Sequence, residues 1–74
     1  MNQQYQLLEY LKINHCIEPL QALDELGIYR LAAVIHDLRN KIGHDMITTE
    51  RVNVKNRYGN SVSIARYWLD PSIS

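Results

Sequence analysis

Apolar residues recur at helical spacing over the first 42 residues of the chain and alternate with polar residues after that point. In residues 2–13, Tyr5, Leu8 and Leu11 lie three residues apart, which places them on one face of a helix, and Asn2 is a suitable N-cap. The tripeptide HCI that follows is short enough to be only a linker or a brief edge strand. The pattern therefore predicts a first helix over residues 2–13.

Two more helices are predicted on either side of a glycine. Residues 19–26 begin with a proline, which is tolerated at the first position of a helix, and they place three leucines on one face: Leu20, Leu23 and Leu26. Gly27 ends this helix, and residues 29–42 carry an apolar stripe that consists of Leu31, Ile35, Leu38 and Ile42. A short helix, a tight turn and a longer helix predict a helix-turn-helix, and a plain helical bundle fits the same pattern.

Two strands and a tight turn complete the chain. The segments TTERVNVKN and SVSIARYWL flank NRYGN, in which Gly59 can adopt the left-handed conformation of a three-residue hairpin loop. Pairing of Asn56 with Asn60 sets the register of strands over residues 47–56 and 60–69. It places Val54 opposite Val62, Val52 opposite Ile64, and Glu50 opposite Arg66. The face expected to pack on the helices then carries Ile47, Ala65, Tyr67 and Leu69.

This order of elements predicts an α+β winged helix-turn-helix domain over residues 1–74, with three helices followed by a two-stranded β-hairpin wing. The segments PLQALDELGIYRLAAVIHDLRNKIGHDM and VNVKNRYGNSVSIARYWL also resemble a family of small phage and prophage helix-turn-helix proteins. The resemblance spans residues 5–69. It implies a winged-helix fold and a DNA-binding regulator of phage or mobile-element origin.

Charges cancel over the whole chain but not within its two parts. Eight basic and eight acidic residues give a net charge of zero. Residues 1–27 contain one lysine and four carboxylates, whereas residues 28–74 contain seven cations and four carboxylates. This asymmetry can orient the molecule toward a polyanion. The net charge of zero, taken over the whole chain, gives little support for nucleic-acid binding.

The outer face of the third helix is the first candidate for DNA contact, because the second helix of a helix-turn-helix enters the major groove. Its residues are Tyr29, Arg30, Ala33, Asp37, Asn40 and Lys41. Arg30 suits guanine or a phosphate, and Ala33 is small enough to approach a thymine methyl group. Asp37 lowers the affinity for phosphate unless Arg30 or, as its direct neighbour on the helix, Lys41 pairs with it, or unless it accepts a hydrogen bond from cytosine. The alternative is that these are ordinary exposed helix residues.

The tip of the predicted wing is the second candidate. It carries two cations and an aromatic ring, which suit phosphate binding and stacking: Lys55, Arg57 and Tyr58. A solvated hairpin turn is also commonly polar, so both interpretations stay open.

The other face of the hairpin is expected to hold a second apolar cluster that consists of Val52, Val54, Val62 and Ile64. A small domain cannot easily cover both faces of a two-stranded hairpin. We therefore expect a two-fold homodimer through this cluster, which would place two recognition helices on adjacent half-sites. The alternative is that the cluster packs inside the monomer.

The remaining chemistry-bearing residues indicate neither a metal site nor catalysis. His15, Cys16, His36 and His44 match no zinc-finger spacing, and the sequence has no nucleophile-elbow or phosphate-loop glycine pattern. We expect no cofactor and no enzymatic activity. One cysteine, no signal-peptide pattern and no long apolar run predict a cytoplasmic or nucleoid protein without a membrane partner.

Two functional hypotheses follow. The first is a sequence-specific regulator that binds double-stranded DNA as a repressor, an activator or an excisionase-like factor. The second is a winged-helix module of phage origin that binds a host protein. Zero net charge, Asp37 and the second apolar face of the hairpin favour the second hypothesis.

Overall fold

The computed structural model describes residues 2–73, in which three helices and a three-stranded antiparallel sheet follow the order predicted from the sequence. The elements are α1 (Gln3–Asn14), β1 (Cys16–Ile17), α2 (Pro19–Leu26), α3 (Leu31–Ile42), β2 (Ile47–Lys55) and β3 (Ser61–Leu69). The predicted fold class is confirmed, and the number of strands is corrected from two to three. The predicted domain of residues 1–74 extends one residue beyond the described range at each end.

The additional strand is the segment that the sequence left open as a linker or an edge strand. β1 pairs with β3 through Cys16–Trp68 and Ile17–Tyr67, so that β3 lies between β1 and β2. Because β1 has only two residues, it covers only the base of β3. The predicted register of the hairpin is confirmed, with Val52 opposite Ile64, Val54 opposite Val62, and Glu50 opposite Arg66.

The buried face of α1 differs from the predicted one. The Asn2 side chain accepts a hydrogen bond from the Tyr5 N–H at 2.8 Å, which confirms the predicted N-cap. The fully buried residues of this helix are Leu7 and Leu11, which lie one turn apart, and Leu8 is only partly buried. Tyr5 is exposed. The core therefore takes a face rotated from the predicted stripe of Tyr5, Leu8 and Leu11.

In α2 the predicted leucine face is wrong for two of its three residues. Leu20 is 67% exposed and Leu23 is 39% exposed, whereas Ala22 is fully buried and Leu26 is partly buried against the core. A small residue lets a helix approach its neighbours closely, so α2 meets α1 and β3 along the Ala22 side and leaves these two leucines outside. Pro19 begins the helix as predicted, and the Gln21 side chain accepts a hydrogen bond from the Glu18 N–H at 3.1 Å.

The hydrophobic core lies between the helices and the base of the sheet. Its buried members are Leu7, Leu11, Ile17, Ala22, Ile28, Leu31, Val34, Ile35, Leu38, Ile47, Tyr67 and Leu69. We call the sheet face that bears Ile47 and Tyr67 the inner face, and the opposite one the outer face. The predicted inward stripe of α3 is confirmed, with Ile42 only partly buried. The four residues expected on the inner face also lie there.

A hydrogen bond near the surface joins α1 to α2. The Tyr10 hydroxyl donates to the Glu25 carboxylate at 2.6 Å. This bond raises the pKa of Tyr10 to about 12, because the ionised phenol can no longer donate and would be repelled by the carboxylate.

Replacing Tyr10 with phenylalanine is expected to lower the free energy of unfolding by about 1 kcal/mol at pH 8, the usual value of one hydrogen bond. Tyr10 has a higher pKa in the folded protein than in the unfolded chain, where tyrosine titrates near pH 10. Its contribution is therefore fully present below pH 10 and is lost as the pH rises through 12. Urea unfolding of the parent and of Tyr10→Phe between pH 8 and 12 measures this difference.

Tyr5→Phe is the matched control, since Tyr5 is on the same helix and is exposed. It is expected to leave stability unchanged at every pH. A stability difference for Tyr10→Phe that is the same at pH 8 and above pH 11 would contradict the assignment.

Candidate nucleic-acid interface

The turn between α2 and α3 fixes where the third helix begins. Gly27 has a φ of +67°, a left-handed conformation that strains any residue with a Cβ. Its N–H donates to the Leu23 carbonyl at 3.1 Å, and the Ile28 N–H donates to the Ala22 carbonyl at 3.0 Å. The Ile28 side chain, which follows Gly27, is buried in the core. The chain is thus anchored on both sides of the turn before α3 starts.

Tyr29 and Arg30 lie in this turn, which corrects the prediction that the third helix spans residues 29–42. Arg30 is the N-cap of α3, and its side chain forms no capping hydrogen bond. Tyr29 is 86% exposed. Because Ile28 and Leu31 on either side are both buried, this short segment is held in place while Tyr29 and Arg30 stay at the surface at the N-terminal end of α3.

The exposed face of α3 contains the remaining predicted helix residues. Ala33, Asp37 and Asn40 are spaced by four and three residues, which places them on one face opposite the buried stripe, and Lys41 lies at its edge. All four are exposed. Within residues 2–73, Asp37 forms no ion pair with Lys41 or Arg30. The carboxylate therefore stands uncompensated at the centre of this face.

The wing tip has the loop that the sequence predicts. The Asn56 N–H donates to the Asn60 carbonyl at 2.9 Å, and Gly59 has a φ of +83°. The Asn56 side chain also accepts hydrogen bonds from the N–H groups of residues 58 and 60. The predicted contact residues of the wing are all exposed: Lys55, Arg57 and Tyr58.

Beyond the core, the inner face of the wing is polar and basic. It carries Thr49, Arg51, Asn53 and Lys55 on β2 and Ser61 and Ser63 on β3. Arg51 is exposed and lies opposite Ala65. Sequence reasoning missed Arg51 as a contact residue, although the predicted register already assigns it to this face. The basic surface of the wing therefore runs along β2 as well as over the tip.

Arg39 joins α3 to the wing, and sequence reasoning missed it as well. Its Nη2 donates to the Ile47 carbonyl at 2.8 Å and to the Thr49 hydroxyl at 2.9 Å. The centre of its guanidinium lies 6.0 Å from the centre of the Tyr67 ring, within the range of a cation–π interaction. Arg39 therefore fixes the flank of α3 against the base of the hairpin, and it sets how the two exposed surfaces are oriented relative to each other.

The cations divide into paired and unpaired groups. The Arg66 Nε donates to the Glu18 carboxylate at 2.8 Å, which raises the pKa of Arg66, and its Nη1 lies 3.6 Å from Glu50. Lys12 lies 3.7 Å from Glu9. Six cations have no ion pair with a carboxylate in the described part of the chain: Arg30, Arg39, Lys41, Arg51, Lys55 and Arg57. Of these, Arg39 is hydrogen-bonded to the Ile47 carbonyl and the Thr49 hydroxyl. All six belong to α3, the turn before it, or the wing.

A match in sequence accompanies this architecture. The family model of the winged helix-turn-helix domain matches residues 2–71. The chain belongs to this family. Comparison with curated proteins and with solved structures finds no match. A winged helix-turn-helix domain is typically a DNA-binding fold without catalytic activity, and in such complexes the second helix of the pair enters the major groove. The second helix of the pair in this chain is α3.

Metal-binding clusters and membrane-spanning helices are absent from the described part of this winged helix-turn-helix domain. Among residues 2–73, no group of three or more histidine, cysteine, aspartate or glutamate residues is placed to hold a metal ion. In the same range, no helix has the length and apolar character needed to cross a membrane.

Replacing Arg39 with methionine is expected to lower the free energy of unfolding by about 1 to 3 kcal/mol, because the Ile47 carbonyl and the Thr49 hydroxyl lose their donor. Arg51→Met is the matched control. Arg51 is a cation on the inner face of β2, two residues after Thr49, and its side chain is exposed. Its replacement should change the free energy of unfolding by less than about 0.5 kcal/mol. Equal losses in the two variants, measured by urea unfolding, would exclude the structural role of Arg39.

Proposed function

We propose that this domain binds double-stranded DNA sequence-specifically, with α3 in the major groove and the wing along the sugar-phosphate backbone. The placement of the unpaired cations is the observation that carries this proposal. Arg30 and Lys41 lie at the two ends of α3, and Arg39 between them is held against the base of the hairpin. The other three lie on the wing, whereas Lys12 and Arg66 have carboxylate partners. A protein of zero net charge thereby presents a basic surface on the side that would meet the duplex.

The N-terminal end of α3 is the proposed base reader. Arg30 can donate two hydrogen bonds to guanine, and Tyr29 can stack or donate to a phosphate. Ala33, one turn further along, leaves space for a thymine methyl group, and Asn40 can bind adenine through its amide. In this arrangement Asp37 accepts a hydrogen bond from the amino group of cytosine. That contact offsets the loss of DNA affinity that an unpaired carboxylate near phosphates would otherwise cause.

The wing is the proposed backbone clamp. Lys55 and Arg57 contact phosphates from the tip, and Arg51 extends this track along β2 toward α3. The serines on β3 add small hydrogen-bond donors beside it. Such contacts position the protein on the duplex without reading its sequence.

The biological role that fits best is a regulator from a phage or a mobile element, acting in the cytoplasm or nucleoid as a repressor, an activator or an excisionase-like factor. Support comes from the resemblance of the α2–α3 and hairpin segments to small phage and prophage helix-turn-helix proteins.

A second candidate function is a winged-helix module that binds a host protein. The uncompensated Asp37 at the centre of the exposed face of α3 favours it, together with the zero net charge. Fluorescence anisotropy with labelled random-sequence duplexes and with duplexes selected by the protein from a random library separates the two functions. Salt-sensitive binding with a clear preference for selected DNA supports the first, and the absence of any binding to duplexes at low salt overturns it.

Arg30→Ala is expected to weaken binding to the selected duplex by about 1 to 3 kcal/mol, with a smaller loss on random DNA. The fold should be unaffected, because the Arg30 side chain is exposed and forms no capping bond. Thermal unfolding monitors the fold in parallel. If this variant binds the selected duplex as tightly as the parent does, α3 does not read the bases through Arg30.

The double variant Lys55→Ala, Arg57→Ala is expected to weaken binding to all duplexes alike. It should also reduce the slope of log affinity against log salt by about two, one for each phosphate that the variant no longer neutralises. Lys12→Ala is the control, since Lys12 is a cation of α1 that is paired with Glu9. An unchanged slope in the double variant would show that the wing tip is only a solvated turn.

A further inference from the structure

Two apolar surfaces lie outside the centre of the core, and they differ in chemistry. The apolar cluster on the outer face of the wing is partly exposed, with Val54 and Val62 36% and 39% exposed and with Val52 and Ile64 partly buried. Exposure alone does not identify what packs on this cluster, so the homodimer expected through it stays a prediction. The surface between α1 and α3 is concave instead, and it combines apolar side chains with two polar groups that lack partners.

The N-terminal half of α1 and the last turn of α3 enclose a cavity of about 200 Å³. Its aliphatic wall consists of Leu8, Leu38 and Ile42, which also belong to the hydrophobic core or pack against it. The core therefore holds this wall in place. Tyr5, which is 54% exposed, adds an aromatic ring to the lining. Pockets for drug-sized ligands measure about 300–1,000 Å³, so this cavity suits a smaller molecule with a single ring.

Gln4 places a hydrogen-bond acceptor at this cavity. Its Oε1 atom is buried and has no hydrogen-bond donor within residues 2–73. A buried acceptor that has lost its contact with water and finds no donor destabilises the folded state. Water occupies a cavity stably only where several polar groups hold it, and the wall here is mainly aliphatic. A hydroxyl group on an otherwise apolar ligand is therefore the donor that suits Gln4.

Lys41 gives the cavity a positive charge. Among the described residues that line the cavity, it is the only charged one. Its side chain is exposed, and it forms no ion pair with a carboxylate in the described part of the chain. A single cation beside an apolar wall favours a ligand that joins an apolar body to a negative charge.

We propose that this cavity binds a small aromatic carboxylate that also carries a hydroxyl group. The carboxylate pairs with the Lys41 ammonium group, and the hydroxyl donates a hydrogen bond to Gln4 Oε1. The ring of the ligand packs on the aliphatic wall and beside the Tyr5 ring, since aromatic rings attract each other beyond the area that they bury. This site goes beyond the proposed DNA binding and does not depend on it.

Titration of the full chain with para-hydroxybenzoate, without DNA and followed by heteronuclear NMR, tests the proposal. The expected dissociation constant is about 1 mM or lower, the range for a ligand of this size. The largest shifts are expected at the three residues of the aliphatic wall.

Two matched probes separate the polar contacts on the parent protein, so that this comparison needs no variant. Para-hydroxybenzamide has the same shape without the negative charge, and it should bind about threefold more weakly, the usual effect of an exposed ion pair. Benzoate lacks the hydroxyl group and should bind about fivefold more weakly, the usual effect of one hydrogen bond.

Each polar contact also has its own variant. Lys41→Met should make the carboxylate and the amide bind equally well, while the preference for the hydroxyl group remains. Gln4→Met should remove the preference for the hydroxyl group and keep the preference for the charge. Neither substitution breaks an ion pair, and Gln4→Met removes an acceptor that has no donor, so both variants should fold. Thermal unfolding monitors this in parallel.

Gln3→Met and Lys12→Met are the matched controls, because both residues are exposed on α1 and lie outside the cavity lining. They should leave the affinities for all three probes unchanged. Three results would each overturn the proposal: no shifts with any probe at ~10 mM, shifts centred away from the cavity, or the same probe preferences in the parent and in both cavity variants.

Discussion

The length of the hairpin relative to the helical layer is the constraint on which the other features of this domain depend. Each long strand has nine residues and extends about 30 Å, whereas only its base packs on the helices. Beyond Ile47 on β2 and Ala65 on β3, no residue of the hairpin packs on the core, so the inner face of β2 is polar there and is basic at Arg51 and Lys55. On the outer face, Glu18 reaches Arg66 near the base, and the valines nearer the tip, Val54 and Val62, stay exposed. A shorter hairpin would preserve the core and lose both surfaces.

The sequence predicts the hairpin better than it predicts the helix faces, and the reason is the range of the interactions involved. A local turn with Gly59 and paired asparagines determines every residue pair of β2 and β3. The buried face of a short helix is instead chosen by neighbours far away in the chain. In α2 the leucines dominate the apolar pattern, yet Ala22 is the buried residue because α2 passes close to its neighbours there. Periodicity shows that a helix has an inner face but does not decide between adjacent faces.

The residues of the candidate site likewise include some that local periodicity predicts and others that depend on contacts between distant elements. The exposure of the predicted α3 and wing residues follows from helical and strand periodicity alone, and so does the position of Arg51, which the predicted register places on the inner face. Arg39 could not be found by this route. Its partners are a backbone carbonyl of Ile47 and a hydroxyl of Thr49, and a contact with a main-chain atom of another element leaves no pattern in the sequence. The residue at which α3 begins could not be predicted from periodicity either, because it depends on the burial of Ile28 in the core.

The two surfaces of the wing share one register, and the turn at the tip sets that register for both. Successive residues of a strand point to opposite faces, so a slip of one residue would move Arg51 to the outer face and Val52 to the inner one. The basic track and the apolar cluster would then be mixed on both sides. Asn56 opposes such a slip, because its side chain holds two backbone N–H groups of the loop while Gly59 takes the left-handed conformation. Asn56 and Gly59 therefore affect function by fixing which side chains lie on each face of the wing, in addition to any direct contact that Arg57 and Tyr58 make.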